Sequence, residues 1–336
     1  MASDLTAVAD AIRANDRFLL VTHENPDGDA LGSILAMKLA LDALGKDAVM
    51  LVGGEMTLPP DYDFMPLDDL ARTLPDDVGE RVILALDSAT AARTQLDPAL
   101  LEAAALTIDV DHHHDNTRFG TINLVVPDAS STGEIVRDLL AELGVDLTPE
   151  IAEAFYIALV TDTGRFQYTN TTQKAHALAI ELMGHDVVPQ DVYRRIYESV
   201  PFERQQLVGR ALSRARRYEN GRMIASYLLR NDFEELGVGE EYAEGVIDEL
   251  RKVKGVELAM TIREPPEPPG AKRRISMRSA TDALDVSAIA RQRGGGGHMR
   301  AAGFSIDSSV EDVIEFVRHE FANAVGQGRE GAATRA

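Results

Sequence analysis

The chain contains no cysteine. Disulfides, zinc-thiolate sites, iron-sulfur clusters and thiol nucleophiles are therefore excluded, and any metal must sit on His, Asp and Glu. No segment approaches the ~20 consecutive apolar residues that a membrane span requires, so a soluble protein is expected. The first ten residues carry Asp4 and Asp10 and lack the basic start and apolar core of a signal peptide, which makes the cytoplasm the expected location. Aromatic residues are only 5% of the chain, too few for the stacking platforms that hold long single strands. Positive charge is scarce as well: 34 Lys and Arg stand against 55 Asp and Glu, and the formal net charge of -21 repels long nucleic acids unless the cations are gathered in one place.

They are gathered. Between Lys272 and Arg300 lie seven cations (Lys272, Arg273, Arg274, Arg278, Arg291, Arg293, Arg300) and only two anions, Asp282 and Asp285. Such a stretch suits a small anionic ligand, although a solvated face would look the same. The 336 residues are 45% apolar, enough to bury two cores, and two domains of roughly 100 to 200 residues are the expectation.

Short apolar runs at Arg17 to Thr22, Asp47 to Val52, Arg81 to Leu86 and Leu106 to Val110 read as strands, with a helical pattern over Leu31 to Leu44 between the first two. Further helical stretches follow at about Ser131 to Leu143, Pro149 to Val160 and Gln173 to Met183. Alternating strands and helices predict an α/β fold with a doubly wound, mainly parallel sheet over residues 1–187. The charged, helix-favouring stretch 188–217 reads as a helical connector. Residues 218–325 read as a smaller α/β domain with strands at Met223 to Leu228, Val256 to Arg263 and Arg274 to Ser279, and a proline-rich hairpin loop at 265–270. The small, polar residues 326–336 are expected to be disordered.

Chemistry concentrates where apolar runs end. His23, Asp27 and Asp29 lie in the segment His23-Glu24-Asn25-Pro26-Asp27-Gly28-Asp29, directly after the first strand and before a helix. This is the edge of an open α/β sheet at which ligands bind. Nitrogen and oxygen donors without sulfur match Mn²⁺ and similar cations. The bland reading is a turn in which Asp29 caps the helix. A second group, Asp109, Asp111, His112, His113 and His114, follows another strand and holds three of the chain's eight histidines. Asp87 ends a third apolar run and Asp162 a fourth, each by itself a plausible helix cap. Together the clusters allow two cations roughly 3.5 to 4 Å apart, the arrangement used for in-line attack on phosphorus.

At this point the chain resembles the DHH phosphoesterase family, whose patterns are matched in order by HENPDGDA at 23–30, ILALD at 83–87, VDHHHDN at 110–116 and VTDTGRF at 160–166. Gly294 to Phe304 (GGGGHMRAAGF) resembles the signature of the associated DHHA1 domain. Spacing and length are most similar to the short bacterial subgroup that degrades oligoribonucleotides of a few residues and dephosphorylates 3′-phosphoadenosine 5′-phosphate.

The resemblance implies two divalent ions, Mn²⁺ first and Mg²⁺ or Co²⁺ next. One would be held by His23, Asp27 and Asp87, and the other by Asp29, Asp87, His112 and Asp162, with Asp87 bridging. Asp111 would orient the His112 imidazole, and His113 would touch the scissile phosphate or protonate the leaving oxygen. Here IDVDHH stands where IDHH is usual, so Asp109 competes with Asp111 for that supporting role. In the second domain, Arg278, Ser279, Gly296, Gly297 and His298 would grip the terminal phosphate or nucleotide, the glycines by letting backbone N–H groups approach closely. Ser130, Ser131 and Thr132 read most simply as a helix N-cap, though the resemblance implies that this SSTGE stretch lies near the site, and Arg165 either reaches a phosphate or sits on the surface. His176, His185 and His319 read as structural or surface residues.

The activity implied is metal-dependent hydrolysis of di- to pentanucleotides to mononucleotides, and of 3′-phosphoadenosine 5′-phosphate to AMP. The alternatives are a cyclic dinucleotide phosphodiesterase and a catalytically silent nucleotide-binding regulator. Pyrophosphatase and processive exonuclease readings are weaker. The partners are short RNA oligonucleotides or phosphorylated nucleotides, with no membrane, and a homodimer is compatible with the sequence.

Overall fold

The computed structural model describes residues 2–53, 58–243, 245–266, 268, 270–281 and 283–333. The chain divides into two compact units, Met1–Ser199 and Val200–Ala336.

The first unit contains α1 (Ala2–Ala14), β1 (Arg17–Val21), α2 (Gly28–Ala43), β2 (Asp47–Leu51), β3 (Val82–Leu86), α3 (Pro98–Ala103), β4 (Thr107–Asp111), β5 (Ile122–Val125), α4 (Thr132–Leu143), α5 (Pro149–Asp162), α6 (Gln173–Met183) and α7 (Pro189–Tyr193). Its five strands form one wholly parallel sheet in the order β2-β1-β3-β4-β5. Because side chains alternate across a strand, β1 and β3 each feed two cores. Phe18, Leu20, Leu84, Leu86, Ile108 and Val110 pack under α1, α2, α4 and α5, while Leu19, Val21, Ile83 and Ala85 pack on the other face with Leu96, Leu100 and Leu101. A sheet covered on both faces needs apolar residues throughout, and all five residues of β3 are buried. α2 and α5 approach so closely that a Cβ on Gly32 would lie 2.4 Å from the Ala154 carbonyl oxygen.

The second unit contains α8 (Phe202–Arg214), β6 (Arg216–Tyr218), β7 (Met223–Leu228), α9 (Arg230–Leu236), α10 (Val246–Arg251), β8 (Leu258–Arg263), β9 (Arg273–Ser279), α11 (Val286–Arg291), β10 (Gly296–His298), β11 (Ala301–Ile306) and α12 (Val310–Ala333). Its sheet runs β10-β11-β9-β8-β7-β6 and only the β7/β8 pair is parallel. The proline-rich segment joins β8 to β9 as an antiparallel connection. Glu267 and Pro269 within it lie outside the described residues.

Two expectations change. The 188–217 connector is not one piece: α7 and a π-helical turn at Arg194–Glu198 end the first unit, α8 opens the second, and Arg216–Tyr218 is a strand. Pro201 explains the break, since the residue before proline is driven out of the helical region. Residues 326–333, expected to be disordered, continue α12 as far as Ala333. Residues 334–336 lie outside the described residues. No described helix is long and apolar enough to cross a membrane.

Candidate metal centre

The connection leaving β1 goes to β2 on one side of the sheet, and the one leaving β3 goes to β4 on the other. The crevice beyond the carboxyl ends of β1 and β3 is therefore the switch point of the sheet, where open α/β folds bind ligands. His23 follows β1 and Asp87 follows β3, so sequence order delivers both to that crevice. Asp87 has φ +60°, a left-handed conformation uncommon outside glycine that Asp adopts more readily than most residues.

Six predicted ligands converge there. His23 Nε2 lies 3.4 Å from Asp87 Oδ2 and 4.0 Å from Asp27 Oδ1. His112 Nε2 lies 3.8 Å from Asp29 Oδ2, 3.7 Å from Asp87 Oδ1 and 3.6 Å from Asp162 Oδ2. Asp87 thus turns one oxygen towards each histidine. Both imidazoles have their other nitrogen spent on a carbonyl, His23 Nδ1 on Glu24 O at 2.7 Å and His112 Nδ1 on Ala129 O at 3.3 Å. A carbonyl can only accept, so Nδ1 carries the proton in each ring and the neutral ring presents the Nε2 lone pair to the centre. The triads His23/Asp27/Asp87 and Asp29/His112/Asp162 each have donor atoms within 4.8 Å of one another and can hold a metal ion.

The carboxylates are fixed by backbone and hydroxyl groups. Asp27, rather than Asp29, caps α2: its Oδ1 accepts from the Asp29 and Ala30 N–H groups at 3.0 and 3.1 Å. Asp29 is buried and accepts from Thr132 N at 2.7 Å, Gly133 N at 3.0 Å and Ser33 Oγ at 3.1 Å. Thr132 Oγ1 donates to Asp87 Oδ1 at 2.9 Å. The N-terminus of α4 is thus aimed at two site carboxylates, where its dipole favours negative charge. Ser131 caps α4 as its sequence suggested, accepting from Glu134 N at 3.2 Å. The SSTGE stretch that holds Thr132 is one the family resemblance implies near the site, although the residues themselves read as a cap. The sequence reading missed Asn170, whose Nδ2 donates to Asp162 Oδ2 at 3.0 Å and to Ser130 O at 2.9 Å. An Asn eight residues past a ligand carries no recognisable motif, and only the folded loop reveals it.

Asp111 holds a different ring from the one expected. Its Oδ1 lies 2.8 Å from His113 Nδ1, its Oδ2 accepts from Asn116 Nδ2 at 2.7 Å, and towards His112 it accepts only the backbone N–H at 2.8 Å. Asp109 is fully buried on β4 and neither of its oxygens has a hydrogen-bond partner, so burial, followed by the nearby Asp111 charge, pushes its carboxyl up to about 7.

The electrostatics describe a centre short of positive charge. Burial and the Asp87 charge hold the Asp29 carboxyl well above the ordinary range. Burial, partly offset by His112, pushes Asp162 up to about 7. Burial opposes protonation of His112, yet the Asp162, Asp29 and Asp87 charges outweigh it and raise the ring to about 9. Asp87 moves the other way: burial works against its ionisation, but the His23 hydrogen bond and the His23, His112 and His113 charges hold it below the ordinary range. Carboxylates that hold protons and histidines that attract them are the two signs of one deficit, which bound cations would remove. Oxygen and neutral imidazole donors suit divalent ions of the Mn²⁺ class.

In the second unit, Arg278 and His298 occupy one row of the sheet, since both pair with Ala301 from opposite sides of β11. Arg278 is half-buried and donates only to the Met277 carbonyl, with no carboxylate partner among the described residues. Ser279 is buried and engaged in its own turn, donating to Thr281 O at 2.7 Å and accepting from Thr281 N at 3.2 Å. Gly297 has φ +128°, and a Cβ there would lie 2.5 Å from Ala301 O, so close approach of β11 already requires a glycine. A Cβ on Gly296 would meet nothing within 4 Å. The His298 side chain lies outside what the structure describes.

Comparison with known proteins agrees with this geometry. The chain is 33% identical over 328 residues to the bifunctional oligoribonuclease and PAP phosphatase NrnA of Thermus thermophilus, covering 94% of each chain. It is 26% identical over 309 residues to the protein of the same name from Bacillus subtilis, covering 90% of this chain and 93% of that one. The crystal structure of an exopolyphosphatase-related protein from Bacteroides fragilis superposes with a TM-score of 0.87 at 25% identity, over 97% of this chain and 96% of that one. The family model for the DHH family N-terminal domain matches residues 17–159, and that for the DHHA1 domain matches residues 220–324. With both domains present in order and a relative of this identity along nearly its whole length, the chain belongs to the DHH phosphoesterase family.

Proposed function

We propose that the protein is a divalent-metal-dependent hydrolase of short oligoribonucleotides and of 3′-phosphoadenosine 5′-phosphate, with Mn²⁺ as its working metal. The observation that carries this reading is the pair of donor triads at the sheet's switch point, His23/Asp27/Asp87 and Asp29/His112/Asp162, with Asp87 Oδ1 of the first 3.7 Å from His112 Nε2 of the second. His23, Asp27 and Asp87 would hold one ion, and Asp29, Asp87, His112 and Asp162 the other. Bound there, the ions lower the pKa of water and neutralise the charge of a phosphate.

The chain's own groups do the rest. Thr132 and Gly133 fix the Asp29 and Asp87 carboxylates in place, so little reorganisation is needed during reaction. Water adds to phosphorus as the bond to the leaving ribose oxygen breaks, and that oxygen needs a proton. His113 would give it. Burial disfavours its charged form, but the Asp111 hydrogen bond and the Asp87 and Asp111 charges outweigh burial and raise its pKa. Nδ1 is held by Asp111, which leaves Nε2 as the nitrogen to serve the leaving group. In the DHHA1 domain, Arg278 would take the far phosphate or nucleotide, with the row shared by His298 and the open side of Gly296 beside it. Gripping a single end favours substrates of few nucleotides.

Parallel incubation with Mn²⁺ and pApA, cyclic di-AMP, 3′-phosphoadenosine 5′-phosphate or pyrophosphate tests the reading. AMP should appear from pApA and from 3′-phosphoadenosine 5′-phosphate. Turnover of cyclic di-AMP alone would transfer the assignment to a cyclic dinucleotide phosphodiesterase. Binding of nucleotide and Mn²⁺ without turnover of any substrate would make the protein a regulator. Arg278→Ala should raise KM for pApA while kcat changes little, and an unchanged KM would remove Arg278 from the binding site.

A further inference from the structure

The loop that follows α5 leaves the metal centre at Asp162 and is tied back to it, because Asn170 donates to Asp162 Oδ2 at 3.0 Å. Three consecutive residues in this loop are left-handed: Gly164 at φ +55°, Arg165 at +65° and Phe166 at +61°. Only the glycine adopts that conformation at no cost, so two side-chain-bearing residues are held against their preference beside the site. Phe166 is anchored by stacking on His176 at 5.1 Å between ring centroids. Arg165 lies over the Tyr197 ring, 5.0 Å from its centroid. Tyr197 stands in the π-helical turn Arg194–Glu198, a device that re-aims side chains, with the Tyr193 ring 5.0 Å away.

Most cations of the first unit, among them Arg81, Arg137, Lys174 and Arg195, are paired with carboxylates. Arg165 has no carboxylate partner among the described residues, although Asp and Glu outnumber Lys and Arg by 55 to 34. Its guanidinium rests on a tyrosine face and not on the carboxylates of the metal centre. A half-buried guanidinium braced on an aromatic ring keeps its donor edge for an anion, and phosphate matches that fork.

We infer that Arg165 is a specificity-determining residue that binds a second phosphate of the oligonucleotide, distinct from the scissile one, with Tyr197 setting the plane of the guanidinium. This rests on the short-oligonucleotide reading above. The second phosphate can be the terminal 5′-phosphate of a dinucleotide or an internal phosphate of a trinucleotide, and three substrates separate these sources. ApA has only the scissile phosphate, pApA adds the terminal one, and ApApA adds an internal one. In the Mn²⁺-loaded full-length protein, Arg165→Gln should lower the kcat/KM preference for pApA or for ApApA over ApA at least about fivefold, through KM. The substrate whose preference collapses carries the phosphate that Arg165 holds. Arg165→Lys should recover part of the preference, because charge is kept without the planar fork.

A parallel titration with Ca²⁺ in place of Mn²⁺ reads binding alone through tyrosine emission, which a chain without tryptophan displays unmasked. If wild-type protein turns over none of the three, the proposed activity fails, and the titration still decides the role of Arg165. If both preference ratios, in turnover and in binding, are the same in Arg165→Gln as in wild type, including under a uniform loss, the inference is overturned.

Discussion

Each carboxylate of the centre does a job that the sequence alone could not distinguish. Asp27 and Asp29 both stood at a helix start, and telling which of them caps the helix needed three dimensions: Asp27 caps α2, while Asp29 is buried on the N-terminus of α4. The strand-end acids and the three consecutive histidines were legible because an apolar run that stops abruptly at an acid has few structural reasons to do so. The resemblance implied that the stretch around Thr132 lies near the site, but the cap position hid its hydroxyl's bond to Asp87. Thr132→Val keeps the shape and removes that bond, and should lower kcat/KM roughly 10- to 100-fold with the fold intact, as losses of supporting contacts around metal ligands do. Steady-state kinetics beside a melting curve check this, and full activity would show that the bond is dispensable. Asp87→Asn should abolish turnover, since the residue faces both histidines.

Regular elements were recovered where pattern and packing agreed. The runs expected at Met223 to Leu228 and Gln173 to Met183 match β7 and α6 residue for residue, and α4 and α5 differ from expectation by one or two residues. β5 escaped because four residues, Ile122–Val125, with only Leu124 fully buried, give no periodicity to read. The helical connector failed for the opposite reason: its composition favoured helix throughout, and one proline divided it between two units. Helix packing yields a pair of predictions with opposite signs. Gly32→Ala forces a Cβ against the Ala154 carbonyl between α2 and α5 and should destabilise the first unit by about 1 to 3 kcal/mol. Gly209→Ala, exposed in α8 with nothing within 4 Å of the new Cβ, should stabilise by about 0.5 to 1 kcal/mol. Thermal or urea unfolding of the two variants measures both. A neutral Gly32→Ala would mean that the helix pair can separate freely.

At the scale of the molecule, an acidic chain places its densest buried carboxylates at one point and its densest cations in another unit. A centre that raises carboxyl and imidazole pKa values together stores repulsion that metal binding would release, so metal and fold should be linked. Chelation should lower the melting temperature, and Mn²⁺ at about a hundred times its Kd should restore roughly 2.7 kcal/mol. Asp29→Ala should lose most of that response. Differential scanning fluorimetry across a Mn²⁺ series reads it, and an Asp29→Ala curve parallel to wild type would place the stabilising ion elsewhere.

The central claim is that this centre cuts short oligoribonucleotides and not long strands. Its most direct test follows mononucleotide release from pApA and from a long single-stranded RNA, both with Mn²⁺, in wild type and in Asp29→Ala. The account predicts release from pApA far faster than from the long RNA, and none from either in the variant. Equal or faster cutting of the long strand, or release that survives loss of Asp29, would contradict it.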